Sequence, residues 1–302
     1  ALGYNQINLW GGSYGTRLGL EVMRLYPAGL RSVVLDAVYP PDVDLYLESP
    51  ANLDRSLELL FVSCAANAVC NQKFPDLRTV FYQTIERLEV SPQMRTIEDP
   101  FSGVEYQALM DGDTLLSLVF QVLYESRLRY LLPELIYDAS RGEFETFDKM
   151  RGVLVGQMDL SSRGMMFSVQ CHEELAFSTL AELEEVMEAY PHLARMYEYA
   201  IVGKLPFFAC DLWSAGMAPS SANQPVQSDI PTLLMAGEFD PITPPSWAFQ
   251  AAETLENGYV FEYPGIGHGA TAVAGCSRDM MLVFLNNPGR APDNGCISEM
   301  SH

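Results

Sequence analysis

A serine bracketed by glycines, Gly11-Gly12-Ser13-Tyr14-Gly15, carries the spacing G-x-S-x-G. In that spacing a serine stands on a sharp turn between a strand and a helix, its hydroxyl exposed for attack on a carbonyl. Ordinary Gly/Ser turns of α/β proteins can show the same letters, so the flanks decide. Before the motif, Ile7-Asn8-Leu9-Trp10 reads as a short apolar strand. After it, Leu18, Val22, Met23, Leu25 and Tyr26 recur at helical spacing until Pro27 stops the helix. Glycines suit the turn because it strains the serine backbone, and side chains beside it would strike the helix or block the attacking oxygen. The backbone N–H of Tyr14, the residue after the serine, is the expected donor to an oxyanion.

A serine hydroxyl is a weak nucleophile until a base takes its proton. The chain holds 4 histidines. His302 is terminal, His192 follows Pro191 in a polar stretch that reads as surface, and His172 beside Cys171 reads as a structural or cleft-lining residue. His268 lies in Gly265-Ile266-Gly267-His268-Gly269, directly after the apolar strand Tyr259-Val260-Phe261-Glu262-Tyr263. A glycine-rich loop at a strand's carboxyl end is where open α/β sheets put functional groups, so His268 is the candidate base.

The base needs an acid to orient its ring and stabilise the imidazolium. Asp240 follows the strand Thr232-Leu233-Leu234-Met235-Ala236-Gly237, and Pro244 and Pro245 stiffen the turn before a helix near Ser246. Glu238 is a rival closer to the strand and reads as a supporting polar group. The order Ser13, Asp240, His268 is that of the α/β-hydrolase triad and not of the chymotrypsin or subtilisin types.

The elements that must position these residues divide by region. Strand signals fall at 7–10, 32–36, 232–237 and 259–263, in the outer segments. Between Pro40 and Asp229 the pattern is mostly helical, with apolar residues at threes and fours over 57–68, 77–88, 114–124 and 128–139. Asp113 is the expected N-cap of the third of these helices; Asp111-Gly112-Asp113 lacks the remaining ligands of a calcium loop. The segment 214–229, rich in Ser, Ala and Pro, reads as the returning linker. The expected fold class is α/β: a hydrolase core in 1–40 and 230–302, with a mostly helical cap and return linker in 41–229. Such a cap would select what reaches Ser13 and exclude water from it.

Composition fits an enzyme with a real core, 48% hydrophobic and 19% charged. No apolar run reaches the ~20 residues needed to span a bilayer. A formal net charge of −21 argues against a nucleic-acid partner, which requires basic surface. The six cysteines, Cys64, Cys70, Cys171, Cys210, Cys276 and Cys296, show no C-x-x-C spacing. Their even count and paired spacings read as disulfides formed in an oxidising compartment, secreted or periplasmic; six buried reduced thiols are the alternative. No metal or organic cofactor is implied.

Leu9-Trp10-Gly11-Gly12-Ser13-Tyr14-Gly15-Thr16-Arg17 and Arg31-Ser32-Val33-Val34-Leu35-Asp36 resemble the nucleophile region of the tripeptidyl-aminopeptidase-like α/β hydrolases, relatives of the proline iminopeptidases. Ile230-Pro231-Thr232-Leu233-Leu234 through Pro244-Pro245, Gly267-His268-Gly269, and the tail from Cys276 to Cys296 are similar to that family's C-terminal segment. The resemblance covers both ends of the chain, with the middle fitting in outline. It implies the pairings Cys64–Cys70, Cys171–Cys210 and Cys276–Cys296. It also implies that cap acids bind a substrate's free α-amino group, a role open to Glu173 and Glu174 beside Cys171. Otherwise these two glutamates would form the solvated first turn of a helix, where negative charge suits the dipole. Members carry a long stretch before the elbow that holds the first half of the sheet and a loop with a second oxyanion amide. Here the elbow stands at residue 13, so the expectation is a partial core, its missing N-terminal half belonging to a larger protein or a partner chain. The expected function is a serine exopeptidase releasing amino acids or short peptides from a free N-terminus through an acyl-enzyme. The alternatives are a carboxylesterase-type hydrolase and a catalytically impaired binding or scaffold fragment.

Overall fold

The structure is a computed structural model that describes residues 3–158 and 162–300; His302 lies outside them. The described chain forms two compact units. The first comprises residues 3–56, 123–127 and 218–300; the second comprises the described residues of 57–122 and 128–217.

The first unit begins with strand β1 (Ile7–Gly12), helix α1 (Tyr14–Leu25) and strand β2 (Leu30–Asp36). Helix α2 (Leu45–Ala66) follows, starting well before the expected residue 57. Pro50 lies inside it and hid its first turns, because a proline reads as a helix breaker. The start is secured by Asp44, whose Oδ1 accepts from Tyr46 N and Leu47 N at 3.0 Å each, while Glu48 Oε1 accepts from Asp44 N at 3.2 Å. The carbonyl of Tyr46, which the proline cannot serve, is met by Ser49 Oγ at 3.4 Å.

The second unit is built mainly from α3 (Ala68–Lys73), α4 (Leu77–Val90), α5 (Gly112–Tyr124), α6 (Leu132–Arg141), α7 (Glu145–Met158), α8 (Arg163–Glu173), α9 (Leu180–Met187), α10 (Ala194–Tyr199) and α11 (Leu205–Leu212). It also contains an antiparallel hairpin absent from the sequence reading, β3 (Gln93–Glu98) with β4 (Glu105–Met110). Half of their twelve residues are polar, and in β3 Met94 is exposed while Gln93 and Arg95 are half-buried, so the apolar pattern does not follow burial there. The legible signal was the turn between them, where Asp99 Oδ1 accepts from Phe101 N at 2.8 Å and Gly103 takes a φ of 70°. A second correction concerns α5. Asp111, and not Asp113, caps it, its Oδ1 accepting from Thr114 N at 2.9 Å.

The chain returns to the first unit with β5 (Thr232–Gly237), α12 (Pro245–Ala252), β6 (Gly258–Tyr263) and α13 (Cys276–Asn286). The four strands form one parallel sheet in the order β1-β2-β5-β6. Both faces of β2 and β5 are covered, which explains their continuous apolar runs. Val33, Leu35, Leu234 and Ala236 pack with Leu20 and Met23 of α1 and with Ala248 and Ala251 of α12. The alternate residues Val34, Leu233 and Met235 pack with Met280 and Phe284 of α13.

Register fixes where chemistry can occur. Gly12 pairs with Asp36, Asp36 with Met235, and Gly237 with Tyr263, so β1 and β2 end level and β5 and β6 run two residues further at the same edge of the sheet. The segments leaving those ends carry Ser13, Asp240 and His268. Among the described residues no helix is long and apolar enough to cross a membrane. The six cysteines form Cys64–Cys70, Cys171–Cys210 and Cys276–Cys296, the pairing the resemblance implied.

Candidate active site

Ser13 takes φ 56° and ψ −127°, a conformation that costs a non-glycine residue on the order of 1–3 kcal/mol. Its neighbours hold it there. Ser13 N donates to Asp36 O at 2.9 Å, and Ser13 O accepts from Thr16 N at 2.8 Å and Thr16 Oγ1 at 2.6 Å. Thr16 Oγ1 in turn accepts from Tyr39 N at 2.7 Å. The glycines are not equivalent. A Cβ on Gly11 would stand 2.2 Å from Gly15 O, whereas one on Gly12 would make ordinary contact with the Trp10 ring at 3.5 Å and Asp36 O at 3.9 Å, and Gly15 faces open space. The expected crowding therefore applies to Gly11 alone. Tyr14 opens α1, which puts its backbone N–H at the positive end of the helix.

Asp240 is fully buried. Its Oδ1 accepts from Ile242 N at 3.0 Å and Thr243 N at 2.9 Å, and its Oδ2 accepts from Thr243 Oγ1 at 2.6 Å. Oδ2 also lies 2.8 Å from His268 Nδ1. Four donations from α2 clamp this acid turn. Arg55 donates to Glu238 O and Asp240 O at 2.8 and 2.7 Å, Ser56 Oγ to Phe239 O at 2.6 Å, and Asn52 Nδ2 to Ile242 O at 3.1 Å. Glu238 is a supporting group, its Oε2 accepting from Gly265 N at 2.8 Å.

The histidine loop is held from two further sides. Asp36, at the end of β2, accepts from Ala270 N at 2.7 Å, from Thr271 N at 2.8 Å and from the Thr271 hydroxyl. The short segment 123–127 supplies Tyr124 O to His268 N and Ser126 Oγ to Gly267 N, each at 2.9 Å. Neither Asp36 nor Tyr124 was singled out from the sequence. Asp36 had a legible signal, a lone acid closing an apolar strand; Tyr124 had none beyond its place at a helix end.

Electrostatics follow from burial and these partners. For His268, burial is the largest influence and disfavours the imidazolium. The charge and hydrogen bond of Asp240, with the charges of Asp36 and Glu125, outweigh it and raise the pKa above the ordinary 6.5. For Asp240, burial again acts first and upward, but His268 and the Thr243 bonds hold the carboxylate below its ordinary value. Burial raises Asp36 above its ordinary value against the opposing bonds from Thr271 and Ala270.

His268 Nε2 is buried and has no hydrogen-bond partner among the described residues. His268 lines a pocket of about 640 Å³ together with Trp10, Ser13, Asp36, Tyr124 and Leu285 among others. The structure thus joins Asp240 to His268 and sets Ser13 on the same pocket. Glu173 and Glu174 belong to the other unit. They lie at the C-terminal end of α8 and just past it, so the first-turn reading of these residues is corrected. Glu174 is buried, and the Cys171–Cys210 disulfide fastens α8 to α11 beside both. His172 Nδ1 meets Ala215 O at 3.0 Å, a structural contact. His192 is exposed, edge-on to Tyr82.

A parallel sheet that delivers a strained serine, an acid turn and a histidine loop from one end of its strands has the architecture of the α/β-hydrolase fold. Residues 203–296 match the family model described as TAP-like protein, and the TAP-like resemblance is borne out. Serine protease Hip1 of Mycobacterium tuberculosis and of Mycobacterium bovis is 21% identical over 286 residues, covering 89% of this chain and 53% of the relative. The chain therefore spans about half the length of the curated relatives it matches. Slight structural likenesses extend to proline iminopeptidase of Mycobacterium smegmatis, with TM-score 0.34, 16% identity and coverage of 95% of this chain and 67% of that one. A meta-cleavage product hydrolase of Pseudomonas fluorescens gives TM-score 0.37, 12% identity, and coverage of 96% and 68%.

Proposed function

We propose that the protein is a serine hydrolase acting by acyl transfer, and specifically an exopeptidase that cleaves short peptides from a free amino terminus. The observation that carries the reading is the state of His268. Its Nδ1 is committed to Asp240 at 2.8 Å while its buried Nε2 is unpartnered among the described residues, and His268 and Ser13 line one pocket. An imidazole so arranged holds one proton toward the acid and presents a lone pair to the nucleophile. Ser13 Oγ attacks the scissile carbonyl as Nε2 takes its proton, and the Tyr14 N–H supports the oxyanion. The imidazolium then protonates the leaving amine, and water hydrolyses the acyl-enzyme by the same relay.

The peptide preference is supported by the Hip1 likeness. Three disulfides favour an extracytoplasmic site of action. The outer edge of β1 is the place for further sheet. Among the described strands β1 pairs only with β2, and Ile7 and Trp10 on it are 52% and 55% exposed.

The test uses the full-length protein, a fluorophosphonate probe and two substrate series. Wild type is expected to label at Ser13 and to cleave aminoacyl amides, losing that activity when the amine is acetylated; Ser13→Ala removes both with folding intact. Failure of wild type to label favours a scaffold. Indifference to acetylation, with faster turnover of p-nitrophenyl esters, favours an esterase.

A further inference from the structure

A tyrosine hydroxyl outside the Ser–His–Asp set, that of Tyr124, is hydrogen-bonded to the Ser13 side chain. Tyr124 is the last residue of α5 and belongs to the short return 123–127 that the sheet-bearing unit takes from the middle of the chain. Its ring stacks on the His268 imidazole, centroids 4.2 Å apart and planes 27° from parallel. Its carbonyl accepts from His268 N at 2.9 Å. Backbone fixes this placement: Ser126 Oγ accepts from Gly267 N at 2.9 Å, Arg127 donates to Ala272 O at 3.0 Å, and a Cβ on Gly267 would stand 2.2 Å from Leu123 O. Bonds on both flanks of Tyr124 thus tie it to the loop that carries His268, with its hydroxyl at Ser13.

We propose that Tyr124 is a further catalytic residue of the site, its hydroxyl donating a hydrogen bond to the oxyanion that forms when Ser13 attacks, alongside the Tyr14 N–H. The inference rests on the reading of Ser13 as nucleophile. In the tetrahedral adduct Oγ has given up its proton and shares one carbon with the oxyanion, so a phenol beside Oγ can turn its O–H toward the new anion by rotation about the C–O bond. A donor that meets charge only as charge develops lowers the barrier and leaves substrate binding unaltered. Burial, first among the influences, and the charge of Asp240 push the phenol pKa upward, so the hydroxyl keeps its proton wherever His268 can act as base. The bond balance is simple: Tyr124 lends its proton without transferring it, and His268 alone carries the proton from Ser13 to the leaving group.

Tyr124→Phe in the full-length protein removes the hydroxyl while keeping the ring stack and the carbonyl bond to His268, so the melting temperature should hold. The expected result is a fall in kcat of about 10²-fold with KM little changed. Affinity for a peptide aldehyde, which forms the tetrahedral adduct with Ser13, should fall by a similar factor. An unchanged or higher kcat, or undiminished aldehyde affinity, overturns the assignment while wild type still labels with fluorophosphonate. Wild type that fails to label removes the Ser13 reading and this inference with it.

Discussion

Two glycines of one motif should respond to the same substitution with opposite signs. In Gly11→Ala the new Cβ would lie 2.2 Å from Gly15 O, 2.6 Å from Gly15 C and 3.1 Å from Thr16 N. All three are backbone atoms, so no side chain can swing aside, and an ordinary separation needs the turn to open by about 1 Å. That turn is closed by the Ser13–Asp36 and Thr16–Ser13 bonds, which would stretch with it. Overpacking of this kind costs about 1–3 kcal/mol or more, or a melting temperature lower by roughly 2–4 °C for each kcal/mol. A displacement of about 1 Å at a nucleophile also removes on the order of 10² in rate. In Gly15→Ala the Cβ meets nothing within 4 Å, φ is not positive, and the residue is helical, so a gain of about 0.4–1 kcal/mol is expected. Thermal denaturation and aminoacyl-amide turnover of both variants make the comparison. A Gly11→Ala protein as stable and active as its parent, or a Gly15→Ala protein that loses as much, would refute the steric account of the elbow.

Asp240→Asn should keep the turn, since the amide oxygen still accepts from Ile242 N and Thr243 N, but hold the wrong imidazole tautomer; kcat is expected to drop by about 10⁴. Steady-state kinetics beside a melting curve checks this, and a loss under tenfold would deny Asp240 its role. The pH profile follows from the sign of the His268 shift. The base works only when neutral, and its raised pKa keeps the imidazolium to higher pH, so the acid limb of kcat/KM should fall above pH 6.5. Both oxygens of Asp36 accept from N–H or hydroxyl donors, which an ionised carboxylate satisfies. Asp36→Asn therefore removes one of the charges that raise His268 and should move the acid limb downward; an unmoved limb would show that Asp36 holds the loop without acting on the base.

The elbow, the acid turn and the histidine loop were legible because each is a local pattern: a strand, then small or stiff residues, then a helix. The four parallel strands were legible for a related reason. Burial on both faces makes Val33-Val34-Leu35 and Leu233-Leu234-Met235 continuous apolar runs that stand out from any background. The hairpin over β3 and β4 gave no such contrast, because its polar and apolar residues are mixed without following the burial of each face, and α2 was shortened by a proline whose cost is met by local side chains.

The residues that hold the chemistry in place escaped for a different reason. Asn52, Arg55 and Ser56 bind carbonyls more than 180 positions away in sequence, and Tyr124 serves a histidine 144 residues further on, so no window of sequence contains both partners. Their spacing, i, i+3 and i+4, is the ordinary face of a helix, and its polar character along 52–56 reads as solvent exposure when it is the face turned to the acid turn. A carbonyl needs only some donor, so the identity of the clamp is weakly specified by what it clamps. The nucleophile, base and acid are restricted to few residue types by the reaction itself. Positioning residues therefore vanish into ordinary composition, while reacting ones announce themselves by kind.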